Sequence, residues 1–263
     1  MNIGITASRG GLSPRIDLAV AAGLMLFTLC TTVGYQATFA YRPFDSTDAS
    51  VAAKGEIEFE LGPVGYLREG PEHFLVAPAM IGNLGIAENW EVVLQGRNFI
   101  DLEDSPPGAR TQLVDTGLFL KGVLREGSLQ DGHGPSLATE FGALLPTNHG
   151  EPGAGATWVA IMSQRWPAAT LHLNAAATLT RAQRLDLFAG AILEGPYAWP
   201  VRPALEVFTE REFGTEWVVS GLAGMIWQVS DGLSFDVGLR LARTNEHDVN
   251  EVRAGLTWSF PLR

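Results

Sequence analysis

The chain has 263 residues, 46% of them hydrophobic, a formal charge of −11 and one cysteine. An acidic chain of this kind has nothing to neutralise a row of phosphates, which excludes nucleic acid as a partner. The length is within reach of one all-β domain.

The first forty residues set Arg9 and Arg15 ahead of the apolar run "LAVAAGLMLFTLC" and small residues at Thr38 and Ala40. That order predicts a secretory signal peptide over residues 1–40, cleaved after Ala40. An uncleaved anchor is the alternative, but the run is short for a membrane span. Leu29 before Cys30 does not suit a lipoprotein site. Cleavage leaves 16 basic and 28 acidic side chains, a formal charge of −12, and no cysteine. The exported chain therefore holds itself by burial and hydrogen bonding, without disulfides.

From residue 55 onward alternation dominates, and a period of two is the signature of strands. "GEIEFELG" sets Glu56, Glu58 and Glu60 against Ile57, Phe59 and Leu61. "FLVAPAMIGNLGI" is a weaker strand, because Pro78 lies within it and points to an edge or bulge. "WEVVLQGRNF", "TQLVDTGLFLKGVL", "PSLATEFGALL" and "ATWVAIMSQRW" follow with imperfect faces. "TLHLNAAATLT" and "LDLFAGAILE" each carry one clean apolar face. "VRPALEVFTERE" and "WVVSGLAGMIWQV" are noisier. "GLSFDVGLRLAR" and the last segment, from Val252 to Phe260, alternate cleanly again. The total is about twelve strands of roughly ten residues, the length that crosses a bilayer at a tilt.

The connections suit this count. "DLEDSPPGAR", "PTNHGEPGAG" and "RTNEHDVN" are expected on the outer side, and the tight turns "AEN", "WPA" and "VSDG" on the periplasmic side. "GSLQDGHGP" is an exception, being long for a periplasmic turn.

The three glutamates of the first strand must face water, either outside a soluble sandwich or inside a membrane barrel. Strand length, strand number and the export signal favour the barrel. Trp90, Trp158, Trp166, Trp217, Trp227 and Trp258 sit at or near strand ends, as in the aromatic girdles of outer-membrane barrels. In hydrocarbon every backbone donor and acceptor must be paired, so a spanning sheet must close. The expected fold is an all-β, antiparallel, up-and-down transmembrane barrel of about 12 strands over residues 41–263.

"YRPFDSTDASVAAKGEIEFELG" resembles the start of the bacterial outer-membrane proteins grouped as the MetA-pathway of phenol degradation, or transporter-like, family. The residues that carry the likeness are Arg42, Pro43, Phe44, Thr47, Asp48, Ala49, Gly55, Glu58 and Glu60, with "SLATEFGALLPTN" and "LHLNAAAT" resembling later strands. The resemblance implies an outer-membrane barrel that passes small, often aromatic or hydrophobic, compounds, and it implies no catalytic residues. Such barrels commonly end on an aromatic residue, whereas this chain continues past Phe260 with Pro261, Leu262 and Arg263.

Five scattered histidines show no metal-ligand spacing, and there is no phosphate loop and no Gly-x-Ser-x-Gly elbow, so neither metal nor cofactor is expected. The 30 glycines are read as turn and barrel-bend residues. Ser163, His172 and Asn174 could in principle assemble a lipid hydrolase, provided they meet within hydrogen-bond reach. The stronger expectation rests on the lumen. Its acidic lining is assigned to Glu56, Glu58, Glu60, Glu140, Asp186, Glu206 and Asp236, with Glu91, Glu194 and Glu210 on the same faces. Its basic lining is assigned to Arg97, Lys121, Arg202, Arg240 and Arg253. An acidic wall favours cations or neutral polar permeants. Pairing of these charges across a narrow interior would instead plug it. The reading is a non-enzymatic outer-membrane channel or passive transporter in a Gram-negative envelope. Its expected partners are membrane lipid, a small-molecule permeant and the barrel-assembly machinery.

Overall fold

The computed structural model describes residues 42–103, 110–147, 152–215 and 217–262. The expected signal peptide, with Cys30, lies outside these residues, as do parts of the two connections, expected on the outer side, after residues 103 and 147. Twelve strands close into one antiparallel barrel. They are β1 (Glu56–Glu69), β2 (Glu72–Ala87), β3 (Trp90–Asp101), β4 (Thr111–Arg125), β5 (Ser136–Leu144) and β6 (Gly155–Arg165). The second half comprises β7 (Thr170–Leu179), β8 (Leu185–Glu194), β9 (Val201–Glu212), β10 (Trp217–Ser230), β11 (Leu233–Arg243) and β12 (Asp248–Pro261). Each strand pairs with its sequence neighbours, and β1 closes on β12, with Glu56 opposite Pro261 and Glu69 opposite Val249. Individual strands run from 9 residues in β5 to 16 in β2, more varied than a uniform ten.

Alternation places hydrocarbon outside and charge inside. Leu94, Leu205, Val207, Leu239 and Leu241 are among the exposed apolar side chains, while Glu60, Glu140, Glu206 and Arg253 are buried. A soluble sandwich has the opposite polarity, since only contact with lipid rewards an apolar outer surface. All six connections assigned to opposite sides do fall at opposite ends of the barrel. The turns after β2, β6 and β10 share the end where β1 begins and β12 finishes. Trp90, Trp166, Trp227 and Trp258 cluster toward this end, and Trp199, in the turn after β8, joins them. Trp158 and Trp217 lie toward the other.

The long connection after β4 also lies at the first end. It folds through a short 3₁₀ turn at Ser128–Gln130, and Ser128 Oγ accepts the Arg165 N–H at 2.8 Å. Its length serves this inward fold, which a tight periplasmic turn could not make. Pro78 is accommodated by an irregularity in the pairing of β2 with β3 between Val76 and Ala79. Matching irregularities occur on β1 between Leu61 and Val64 and on β3 between Gln95 and Arg97. The irregularity on β2 leaves Pro78 outside the regular ladder, where its missing N–H is not required.

Candidate functional site: a barrel interior filled by residues 42–54

Residues 42–54 precede β1 and run inside the barrel. The segment forms no helix or strand, and from Pro43 to Ala49 it is mostly buried, so its backbone groups must find partners, and the inner wall supplies them. Arg42 N–H donates to Glu60 Oε2 at 3.1 Å. The N–H groups of Asp45 and Ser46 converge on Glu206, at 2.9 Å to Oε2 and 2.7 Å to Oε1 respectively. Thr47 N–H donates to Asn174 Oδ1 at 3.1 Å, and Asn174 Nδ2 donates back to the Thr47 carbonyl at 2.7 Å, so one side-chain amide mimics a neighbouring strand. Ala49 N–H donates to Ser163 Oγ at 2.9 Å, and Ala52 N–H to Glu91 Oε2 at 2.6 Å. Gln130 Nε2, from the inward-folded loop, donates to the Ala49 carbonyl at 2.9 Å.

Side chains of the segment are held as closely as its backbone. Phe44 packs on Ile192, Ala204, Leu222 and Ile226, an apolar patch on the inner faces of β8, β9 and β10. Arg42 pairs with Asp236 at 3.2 Å. Asp45 sits between Arg253 at 2.9 Å and Arg240 at 3.5 Å, and both arginines also pair with Glu251. Lys121 pairs with Asp48 and Glu91, each at 3.5 Å. Burial alone raises the Asp48 carboxyl, and the Lys121 ammonium, the His172 imidazole and the Ser50 N–H more than reverse this, holding it below its ordinary value of 3.8.

Two glycines show how the wall makes room. A Cβ on Gly190 would lie 2.3 Å from Ser46 Oγ, and one on Gly255 would lie 2.2 Å from the Arg42 guanidinium. These are strand glycines required by a close approach from within, a role separate from turns and barrel bends.

The sequence-assigned lumen residues therefore divide by task. Glu60 and Glu206 accept backbone N–H groups. Asp236, Lys121, Arg240 and Arg253 form ion pairs with the segment. Arg202 pairs with Glu194 at 3.3 Å, and Arg97 with Asp115 on the neighbouring strand. Glu140 stands opposite Lys121 in the β4–β5 register, and Asp186 and Glu210 hydrogen-bond each other. Glu58 accepts from Ser259 Oγ at 2.7 Å. Glu56 and Glu58 line a cavity of about 510 Å³ at the end of the barrel shared by the two described termini. Strand parity alone would have added Asp115 and Glu251 to the inner face. Asp45 and Asp48 had no strand period to reveal them.

The hydrolase constellation assembles only in part. Ser163 Oγ and His172 Nδ1 are 2.8 Å apart, and His172 Nε2 lies 3.3 Å from Glu194. Asn174 is engaged with Thr47 instead of orienting the histidine. Ser163 is fully buried and its oxygen accepts the Ala49 N–H. The group acts as an anchor for the segment. Among the described residues no group of three or more His, Cys, Asp or Glu could hold a metal ion.

No family model matches the chain, and no curated protein matches it. Solved structures do. The COG4313 outer membrane channel from Pseudomonas putida F1 superposes with a TM-score of 0.52 at 12% identity, covering 82% of this chain and 98% of that one. The KdgM porin gives a TM-score of 0.50 at 8% identity, covering 78% of this chain and 99% of that one. At such identities the likeness is one of fold. The chain has the closed antiparallel barrel of outer-membrane channels.

Proposed function

We propose that the chain is a passive channel of the bacterial outer membrane for small molecules, with residues 42–54 as its constriction. The observation that carries this reading is the polarity of the barrel, apolar outside and charged within, around a segment that strand pairing does not require. Aromatic or hydrophobic permeants, which the family resemblance implies, suit the apolar part of a crevice beside the three pairing irregularities, which at about 50 Å³ would have to widen to admit a ring. Its lining runs from Phe44 inside to Val64 and Met80 on the outer face.

The test is single-channel conductance of the refolded mature chain in planar bilayers, with potassium and chloride compared. Small, cation-preferring steps that lose their preference in Glu58→Gln/Glu60→Gln support a channel whose mouth is set by its carboxylates. A second reading, a non-conducting barrel, is favoured by the dense pairing between the segment and the wall. A folded, heat-resistant barrel that never conducts, even with residues 42–54 removed, establishes that reading instead.

A further inference from the structure

A second cavity, of about 200 Å³, lies at the same end of the barrel between the inward-folded loop and the turn after β8. Arg165 borders it. This guanidinium lies 5.0 Å over the ring of Tyr197, its backbone N–H is tied to Ser128, and its Nε is buried without a hydrogen-bond partner. It forms no ion pair among the described residues. A buried guanidinium N–H without an acceptor is costly, and here it is held in place by stacking, with a free cavity beside it. Arg202 borders the same cavity and spends only its Nε on Glu194, leaving its terminal nitrogens available.

The two carboxylates at the cavity are already engaged. Asp48 faces Lys121 and the Ser50 N–H, and Glu194 faces Arg202 and His172. The remaining wall includes Leu129, the Tyr197 ring and the Thr170 side chain. A planar guanidinium fork matches a carboxylate in geometry as well as charge. An apolar cavity of about 150 Å³ accepts a benzene ring, so the volume here suffices for a ring-sized body.

The geometry points to a binding site for a small carboxylate with an apolar, ring-sized body, its carboxylate on Arg165 and Arg202 and its body against Tyr197 and Leu129. This site adjoins the constriction through Asp48 and shares Asp48, Arg165, Arg202 and Gln228 with the larger cavity, and its occupancy is read by binding, whether or not the barrel conducts.

Calorimetric titration of the refolded mature chain with sodium benzoate tests it, with benzyl alcohol and inorganic phosphate as separate arms. One-site benzoate binding is expected, at least tenfold tighter than either comparator. Arg165→Gln should weaken it tenfold or more, and Arg165→Lys should restore only part of the loss, since an ammonium lacks the fork. Unheated gel mobility reports whether each variant is folded. If Arg165→Gln does not fold, Arg202→Gln and Tyr197→Ala take its place, each expected to weaken benzoate several-fold. Absence of benzoate binding overturns the proposal, as does equal affinity in the folded variants. Benzyl alcohol binding as tightly would make the site merely apolar, and phosphate binding as tightly would make it a charge site alone; either result also overturns it.

Discussion

Glu206 shows why an acidic residue belongs inside this barrel. It is 2% exposed, and its carboxylate receives two consecutive backbone N–H groups from residues 45 and 46. A buried donor left without an acceptor costs about 1–3 kcal/mol, so Glu206→Ala is expected to release the segment locally. Hydrogen exchange at the Asp45 and Ser46 amides should accelerate tenfold or more, with Glu206→Gln intermediate because one acceptor oxygen remains. Unchanged exchange in the alanine variant would show that the segment is held elsewhere. Asp48 adds a pH dependence of defined sign. Its carboxyl lies below 3.8 in the folded state, so it stabilises the segment above that value and the contribution fades as pH falls through the depressed one. A fluorophore at Ser50→Cys should gain mobility on acidification below about pH 4. In Asp48→Asn this step should be missing, and its persistence would assign the titration to another group.

At the scale of elements, the strands and the segment inside them obey different rules. Gly190 on β8 has no room for a side chain because Ser46 Oγ and the Phe188 ring occupy the space. Valine suits a strand, so Gly190→Val leaves β8 in register and displaces residues 42–54. Conductance should rise several-fold while the unheated gel mobility stays that of a folded barrel. A loss of the folded form would mean that the segment is needed for closure. The strands were legible from their period of two, most clearly β11, where Leu233 to Leu241 mark one face. Residues 42–54 have no period, and Arg42 to Ala49 stood out in the sequence only as the residues of a family resemblance. Their place inside depends on acceptors from β1, β3, β6, β7 and β9, which no local pattern encodes. The inward fold after β4 was hidden for the same reason, although its excess length was visible.

For the whole molecule, closure and polarity are one constraint. Twelve strands that join β1 to β12 leave no unpaired ladder, and hydrocarbon tolerates no other arrangement of a sheet. That much followed from strand number and alternation, because a parity rule applied twelve times is self-checking. The task of each inner charge did not follow, because Glu206 meets backbone N–H groups, Asp236 meets the Arg42 guanidinium, and Arg253 meets both the Asp45 carboxylate and the Pro43 carbonyl. The outer surface supplies the sharpest test. Leu239, near the middle of β11, is 49% exposed, while its neighbour Gly238 faces inward toward Pro43. Its cross-strand neighbours Ala223 and Val252 are outward and apolar as well. A cation on the lipid face near the midplane costs about 2–4 kcal/mol, so Leu239→Arg should destabilise the barrel by that amount in reversible urea unfolding from phospholipid bilayers. The loss belongs to the hydrocarbon, because both cross-strand neighbours of the leucine are themselves apolar and outward, and it has no polar partner there to lose. In detergent micelles, where the long side chain can reach water, the same substitution should cost much less. An equal loss in both media would place the cause in the protein's own packing and remove Leu239 from the lipid face.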